Sequence, residues 1–200
     1  MYTIGHSTHP LEYFIGLLSR HGITALCDVR SKPYSRINPR FNRESLKKSL
    51  EESRISYLFL GRELGARSED PHCYQGGKVQ YDRLARTELF QQGLRRVRDG
   101  LSKGFQVTLM CAEKEPLECH RMILIARHLA ALGIDVRHIH ADGKIKSHDD
   151  ALRRLCSMVG VPERDLFRST EELQADAYRR QEERIAHELE PAPALGTTAG

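Results

Sequence analysis

The sequence predicts an α/β fold, with a single doubly wound, mostly parallel sheet and a C-terminal helical tail. Two observations carry this expectation. Short apolar runs of strand length alternate with longer segments whose apolar residues recur at helical spacing. Residues able to do chemistry also collect where those apolar runs end, and in open parallel sheets ligands bind beyond the carboxyl ends of the strands.

Met1 to Gly5 reads as the first strand, and Pro10 to His21 as a helix with Leu11, Phe14, Ile15, Leu17 and Leu18 on one face. After Gly22, the run Thr24-Ala-Leu-Cys-Asp-Val-Arg30 suits a second strand buried on both sides, with Asp28 and Arg30 at its end. A basic loop with Pro33 and Pro39 follows, and Asn42 then offers a helix cap ahead of inward-facing Leu46 and Leu50. Ile55 to Leu60 is the third strand. Gly61 to Gln80 has no periodicity and is long for a connection in a compact domain, which predicts a functional loop acting as a lid on a pocket. Tyr81 to Arg98 reads as one helix with Leu84, Leu89, Phe90, Leu94 and Val97 inward, and Phe105 to Met110 as the clearest strand. His120 to Leu132 carries a wide apolar stripe, Met122, Ile123, Ile125, Ala126 and Leu129, until Gly133 ends it; Ile134 to Ile139 is the last central strand. Ser147 to Val159 closes the unit with Leu152, Leu155 and Met158 inward. Ser169 to Glu190 is a charged helix, and the small, proline-containing end reads as a frayed tail. The expected organisation is a Rossmann-like, three-layer α/β domain over 1–160, a helical extension over 161–190 and a disordered tail over 191–200.

Composition narrows the class. Hydrophobic residues make up 40% and charged residues 29%, a globular balance, and no apolar run approaches the roughly 20 residues of a membrane span. The start, Met-Tyr-Thr-Ile-Gly-His, has neither the basic stretch nor the apolar run of a secretory signal, so the expected compartment is the cytoplasm. Five cysteines without a repeating spacing do not form a disulfide framework there. The net charge of +4 is mild, but residues 30–43 hold Arg30, Lys32, Arg36, Arg40 and Arg43 and no acid. Those cations are interleaved with Tyr34 and Phe41, a pattern suited to phosphate contact with stacking on a base.

The strongest local feature is Cys111-Ala-Glu-Lys-Glu-Pro-Leu-Glu-Cys119-His120-Arg121, which begins where a strand ends and closes where a helix begins. Cys119 and His120 are expected in the first helical turn, whose free amides and dipole favour a thiolate or a bound phosphate, with Arg121 adding a forked cation. Glu113, an acid just past an apolar strand, becomes a nucleophile or general base if partly desolvated. Free cysteine is equally at home as a small core residue, so Cys111 and Cys119 are open to a structural, catalytic or metal-binding role. No cofactor is required by the pattern, although Cys111, Cys119 and His120 could bind a transition metal with His138 or His140 as a further ligand; the spacing is not a standard zinc pattern.

These blocks together resemble a known family. Thr3-Ile-Gly-His-Ser-Thr8, Asp28-Val-Arg30 with Pro33-Tyr-Ser-Arg36, Tyr57, Leu60-Gly61 with Leu64-Gly65, and Cys111-Ala-Glu113 with Cys119-His-Arg121 resemble the bacterial family catalogued as domain of unknown function 488, over Tyr2 to Gly143. Gly65-Ala66 stands where that family often has a double glycine. The label implies no mechanism, so function is read from the residues. The leading expectation is an enzyme on a small anionic, phosphorylated, nucleotide or nucleic-acid substrate, such as one cleaving or exchanging an N-glycosidic bond. Glu113, Cys111, Cys119, His120, His6 and Asp28 are its catalytic candidates. Ser7, Arg30, Ser35, Arg36, Tyr57 and Arg121 are the residues expected on substrate or phosphate. A rhodanese-like sulfurtransferase using Cys111 or Cys119 is the second reading, although Ala112 to Glu118 has three acids and no glycine, unlike a persulfide cradle. A non-catalytic nucleic-acid-binding module built on the basic loop is the third.

Overall fold

The structure is a computed structural model, and it describes residues 1–188. The strands are β1 (Tyr2–Gly5), β2 (Ala25–Asp28), β3 (Ser56–Phe59), β4 (Tyr74–Gln75), β5 (Lys78–Val79), β6 (Val107–Cys111), β7 (Arg137–Ile139) and β8 (Ile145–Ser147). The α-helices are α1 (Leu11–Arg20), α2 (Arg43–Glu52), α3 (Gly61–Leu64), α4 (Tyr81–Ala85), α5 (Glu88–Ser102), α6 (Arg127–Ala131), α7 (His148–Met158) and α8 (Thr170–Ile185). Six strands form one sheet in the order β3-β2-β6-β1-β7-β8, parallel except for β8, which runs antiparallel to β7. The doubly wound α/β expectation holds. Among the described residues no helix is long and apolar enough to cross a membrane.

Strand alternation divides the core between two layers. Ile4, Leu26 and Met110 point to the face covered by α1 and α2, where they meet Phe14, Leu17, Leu18, Leu46 and Leu50. Cys27, Leu109 and Cys111 point to the other face, under α5, α6 and α7, with Leu94, Ile125 and Leu155. The helix after β1 therefore lies on one face and the helix after β6 on the other, although these strands are neighbours. That reversal is a topological switch point, where open α/β sheets leave a crevice at the carboxyl ends.

Several elements differ from the sequence expectation. The segment read as one helix from Tyr81 breaks at Thr87, whose hydroxyl accepts from the Phe90 amide at 3.2 Å and so caps a second helix. The break resets the helical phase and leaves Leu89 outside at 44% exposure. Phe105 precedes the strand it was read into, and Met158, in the last turn of α7, also faces outward. Gly61 to Gln80 is not a structureless lid: it holds α3 and the β4–β5 hairpin, and Leu64, Cys73 and Val79 are fully packed. Gly76 and Gly77, both at positive φ, make that hairpin turn. Asn42 stands at the start of α2 but turns its carboxamide oxygen to the Ser35 amide at 2.7 Å, capping the basic loop rather than the helix. The charged helix begins at a Ser169–Glu172 capping box, ends at Ile185, and buries Leu173, Ala177 and Tyr178 on the main core. The expected last residues of that helix, 189 and 190, and the tail 191–200 lie outside the described residues.

Candidate functional site

β6 is buried at every position, and its last residue, Cys111, lies between Gly5 of β1 and the end of β2. Beyond it, the chain to Cys119 is tied down from several sides. His6 and Ser7 continue the parallel ladder by donating from their amides to the Cys111 and Ala112 carbonyls, both at 2.9 Å. Ser7 holds a left-handed backbone, φ 47°, to do so. Arg121 is fully buried, and its guanidinium donates to the Glu113 carbonyl at 2.7 Å and the Lys114 carbonyl at 3.1 Å. Gly5 admits this loop, since a Cβ there would lie 1.9 Å from the Glu113 carbonyl oxygen. Pro116–Glu118 is one 3-10 turn capped by the Glu115 carboxylate, which Arg154 grips at 3.1 and 2.9 Å.

These restraints converge four side chains. Cys111 Sγ and Cys119 Sγ lie 3.7 and 3.8 Å from His120 Nδ1, and Cys119 Sγ lies 3.0 Å from Glu113 Oε2; all four ligand atoms fall within 4.8 Å of one another. His120 Nε2 sits 3.1 Å from the Val29 carbonyl, which can only accept, so Nε2 carries a proton there and the ring turns Nδ1 toward the sulfurs. Cys119 is in an extended conformation after the 3-10 turn and its carbonyl accepts from the Met122 and Ile123 amides, both at 3.1 Å, so it stands just outside the helical turn where the sequence placed it, while His120, with helical backbone angles, lies within that turn as expected. The helix itself starts as a π-helical segment, Arg121–Ala126, with every side chain buried; no sequence signal announced this.

The electrostatics follow from burial and proximity. All five cysteines are free thiols. Burial pushes the Cys111 thiol well up, reinforced by its neighbour Cys119. Cys119 moves the opposite way: burial opposes ionisation, but the Cys111 S–H, the Arg121 charge and His120 outweigh it and hold the thiol well below its ordinary value. Burial lowers His120, yet the hydrogen bond and charge of Cys119 with Glu113 leave it raised overall. Glu113 is exposed as a residue, but its carboxylate end turns in to the sulfurs, where burial and then Cys119 raise it. Buried Tyr81 borders the cluster, and after burial itself the Cys119 charge pushes its phenol up.

A second network lies alongside. Asp28, fully buried, receives Arg30 Nε at 2.9 Å, Arg30 Nη2 at 2.7 Å and the Tyr57 hydroxyl at 2.7 Å. Arg30 also donates to the Phe41 carbonyl at 2.8 Å and stands 3.3 Å from His6 Nε2, while His6 stacks on Phe41. Burial, then Arg30, brings His6 down to about 4. The structure therefore gathers His6, Asp28, Arg30 and Tyr57 beside the Cys111 cluster, but the Arg30 and Arg121 forks are engaged inside the protein rather than presented to a phosphate. Ser35 accepts the Ile37 and Asn38 amides and shapes its own loop, and Arg36 is exposed outside both networks. Phe41 is buried and unavailable for stacking on a base. His138 is committed elsewhere, 2.8 Å from Thr3 Oγ1 and 3.1 Å from His148 Nδ1, and lies outside the cysteine cluster.

The open space at this edge is a cleft of about 930 Å³ between the Lys114 side of the loop and the β7–β8 hairpin, lined by Lys114, His140, Lys144, Lys146, Asp150 and Arg154, among others. The sequence reading missed these cations because β8 is a short, polar strand that pattern alone does not reveal.

The family described as Domain of unknown function DUF488 matches residues 10–128. No curated protein and no solved structure gives a significant match to the chain. The match spans more than half of the chain and includes the loop and cluster described above, so the chain belongs to the DUF488 family.

Proposed function

We propose that this chain is an enzyme acting on a phosphorylated or nucleotide-type substrate, with Glu113 as its acid–base or nucleophilic group. The observation that supports the reading best is the position of Glu113. It is the one solvent-reaching member of an otherwise buried Cys111–Cys119–His120 cluster, at the switch point of the sheet. Lys114 follows it directly in the chain and lines the neighbouring cleft, which also presents Lys146, while Lys144 and Arg154 there pair with Asp142 and Glu115. A single carboxylate at the solvent edge of a buried cluster suits cleavage or exchange of an N-glycosidic bond, where it takes a proton from water or meets the cationic carbon.

Sulfur transfer fits less well. Both sulfurs are essentially buried, at 3% and 1% exposure, and a carboxylate rather than a ring of amides faces Cys119. A binding module resting on the basic loop is also weakened, since Arg30 is internal, Arg40 pairs with Glu12 and Arg43 lies over the Phe59 ring. The test is a screen of nucleosides, nucleotides and short oligonucleotides for base release or exchange, repeated with Glu113→Gln. Loss of about 100-fold or more in kcat with the fold intact is expected. Wild-type turnover by the Gln variant would overturn the assignment.

A further inference from the structure

We infer that Cys111 Sγ, Cys119 Sγ and His120 Nδ1 form a three-ligand site for a zinc-like divalent metal ion, with the Glu113 carboxylate at a fourth, exchangeable position. The inference goes beyond the reaction proposed above and does not depend on its substrate. Its first support is distance. Zinc bonds of about 2.3 Å to sulfur and about 2.0–2.1 Å to nitrogen place tetrahedral ligand atoms about 3.6 Å apart. The two sulfur–nitrogen separations are 3.7 and 3.8 Å, and no pair in the set exceeds 4.8 Å. The Glu113–Cys119 pair, at 3.0 Å, is shorter than such an edge, and Glu113 is the exposed member able to swing outward.

The surroundings support the same reading independently. Metal-binding histidines usually donate their second ring nitrogen to a carbonyl or carboxylate, and His120 Nε2 has the Val29 carbonyl at 3.1 Å. The Arg121 amide donates to Cys119 Sγ at 3.5 Å, and the Arg121 guanidinium is fully buried next to the cluster. A divalent ion together with that guanidinium neutralises two thiolates and one carboxylate, whereas two buried sulfurs and a carboxylate alone leave acidic groups crowded in a dry site. Two thiolates and an imidazole select a borderline-soft ion of tetrahedral habit. Three fixed ligands with one solvent-facing position are the arrangement of a catalytic rather than a closed structural site. The further ligand expected from the sequence, His138 or His140, is replaced in this set by Glu113.

The test uses the full chain purified without chelator, its metal content measured by mass spectrometry and its cobalt-substituted form examined by absorption. The expected result is close to one zinc per chain, with a thiolate-to-cobalt charge-transfer band in the near ultraviolet. Cys111→Ser and Cys119→Ser should each lose most of the metal, while Cys156→Ser, whose thiol lies in α7 away from the site, retains it. If the Ser variants fail to fold, wild-type chain stripped by chelator and titrated with zinc against a chromophoric competitor must still bind one equivalent. A chain that takes up no zinc, a Cys111–Cys119 disulfide in its place, or metal content indifferent to both Ser variants overturns the inference. Glu113→Gln separates the two readings: metal retained with activity unchanged overturns only the proposed catalytic role, and activity lost in a chain that never binds metal overturns only the metal site.

Discussion

Replacing Gly5 by Ala probes whether the Glu113 loop is closed on β1 as described. The added methyl would sit 1.9 Å from the Glu113 carbonyl oxygen, where ordinary contact begins near 3.4 Å, so the carbonyl must retreat by about 1.5 Å. It cannot move freely, because Arg121 Nη1 holds it at 2.7 Å, and β1 cannot move away because Gly5 pairs with Cys111 and the His6 amide bonds the Cys111 carbonyl. Overpacking against fixed backbone costs about 3 kcal/mol, which for a chain of this size lowers Tm by roughly 6–12 °C. Gly16 provides the matched control: it is exposed within α1, a Cβ there meets no atom within 4 Å, and Gly16→Ala should stabilise by about 0.5–1 kcal/mol. Thermal melts and urea titrations followed by circular dichroism read both. A Gly5→Ala chain as stable as wild type would show that the loop does not rest on β1, and the argument for a pre-formed cluster would fail with it.

Asp28→Asn should cost about 3–5 kcal/mol, because it strands the Arg30 guanidinium, 6% exposed, without its counter-charge, whereas Tyr57→Phe removes one hydrogen bond and should cost only about 1 kcal/mol. Equal urea midpoints for the two variants would refute the ion pair as the anchor of that network. Stability should also fall in mild acid. His138 and His148 are held neutral by burial, with folded pKa values below the unfolded value of about 6.5, so the unfolded chain binds more protons below that pH. Their contribution is complete above about pH 6.5 and is lost progressively as pH falls toward the folded values. Urea midpoints at pH 7.5 and 5 should show the loss, and His148→Gln should flatten it; a variant with the wild-type slope would count against these histidines as its source.

The sheet was legible because its code is local. β6 is an apolar run broken only by Thr108 and ending in a cysteine, and each of these strands carries its polar residues within a few positions of its own apolar run. Legibility failed where the outcome depends on tertiary partners. Thr87 reads as an ordinary polar helix residue until its hydroxyl is seen capping the Phe90 amide. Ile145-Lys-Ser147 is too short and polar to announce a strand, and becomes one only by pairing with β7. Arg30 and Arg121 show the same limit at the site. Their residue type suggests phosphate binding, but a guanidinium binds whichever oxygens are nearest, and here those are the Asp28 carboxylate and the backbone carbonyls of Glu113 and Lys114.

That reassignment of Arg121 bears on why the cluster is polar at all. Burying a guanidinium is costly, and a well-packed apolar side chain in its place is often as stable or more so, so loop closure alone is a weak reason for an arginine at this position. Its value lies in what it does to the neighbours. One face of the residue fixes the Glu113 and Lys114 carbonyls, its amide points at Cys119 Sγ, and its charge favours the thiolate form of that sulfur. A left-handed Ser7, a π-helical segment and a glycine that tolerates no side chain add further local cost around the same few residues. A fold that needed only a packed core here would be served by leucine and alanine. Strain and buried charge concentrated on two thiols, an imidazole and one solvent-reaching carboxylate instead fit the metal site proposed above, and equally the positive charge that the proposed reaction would develop in its substrate.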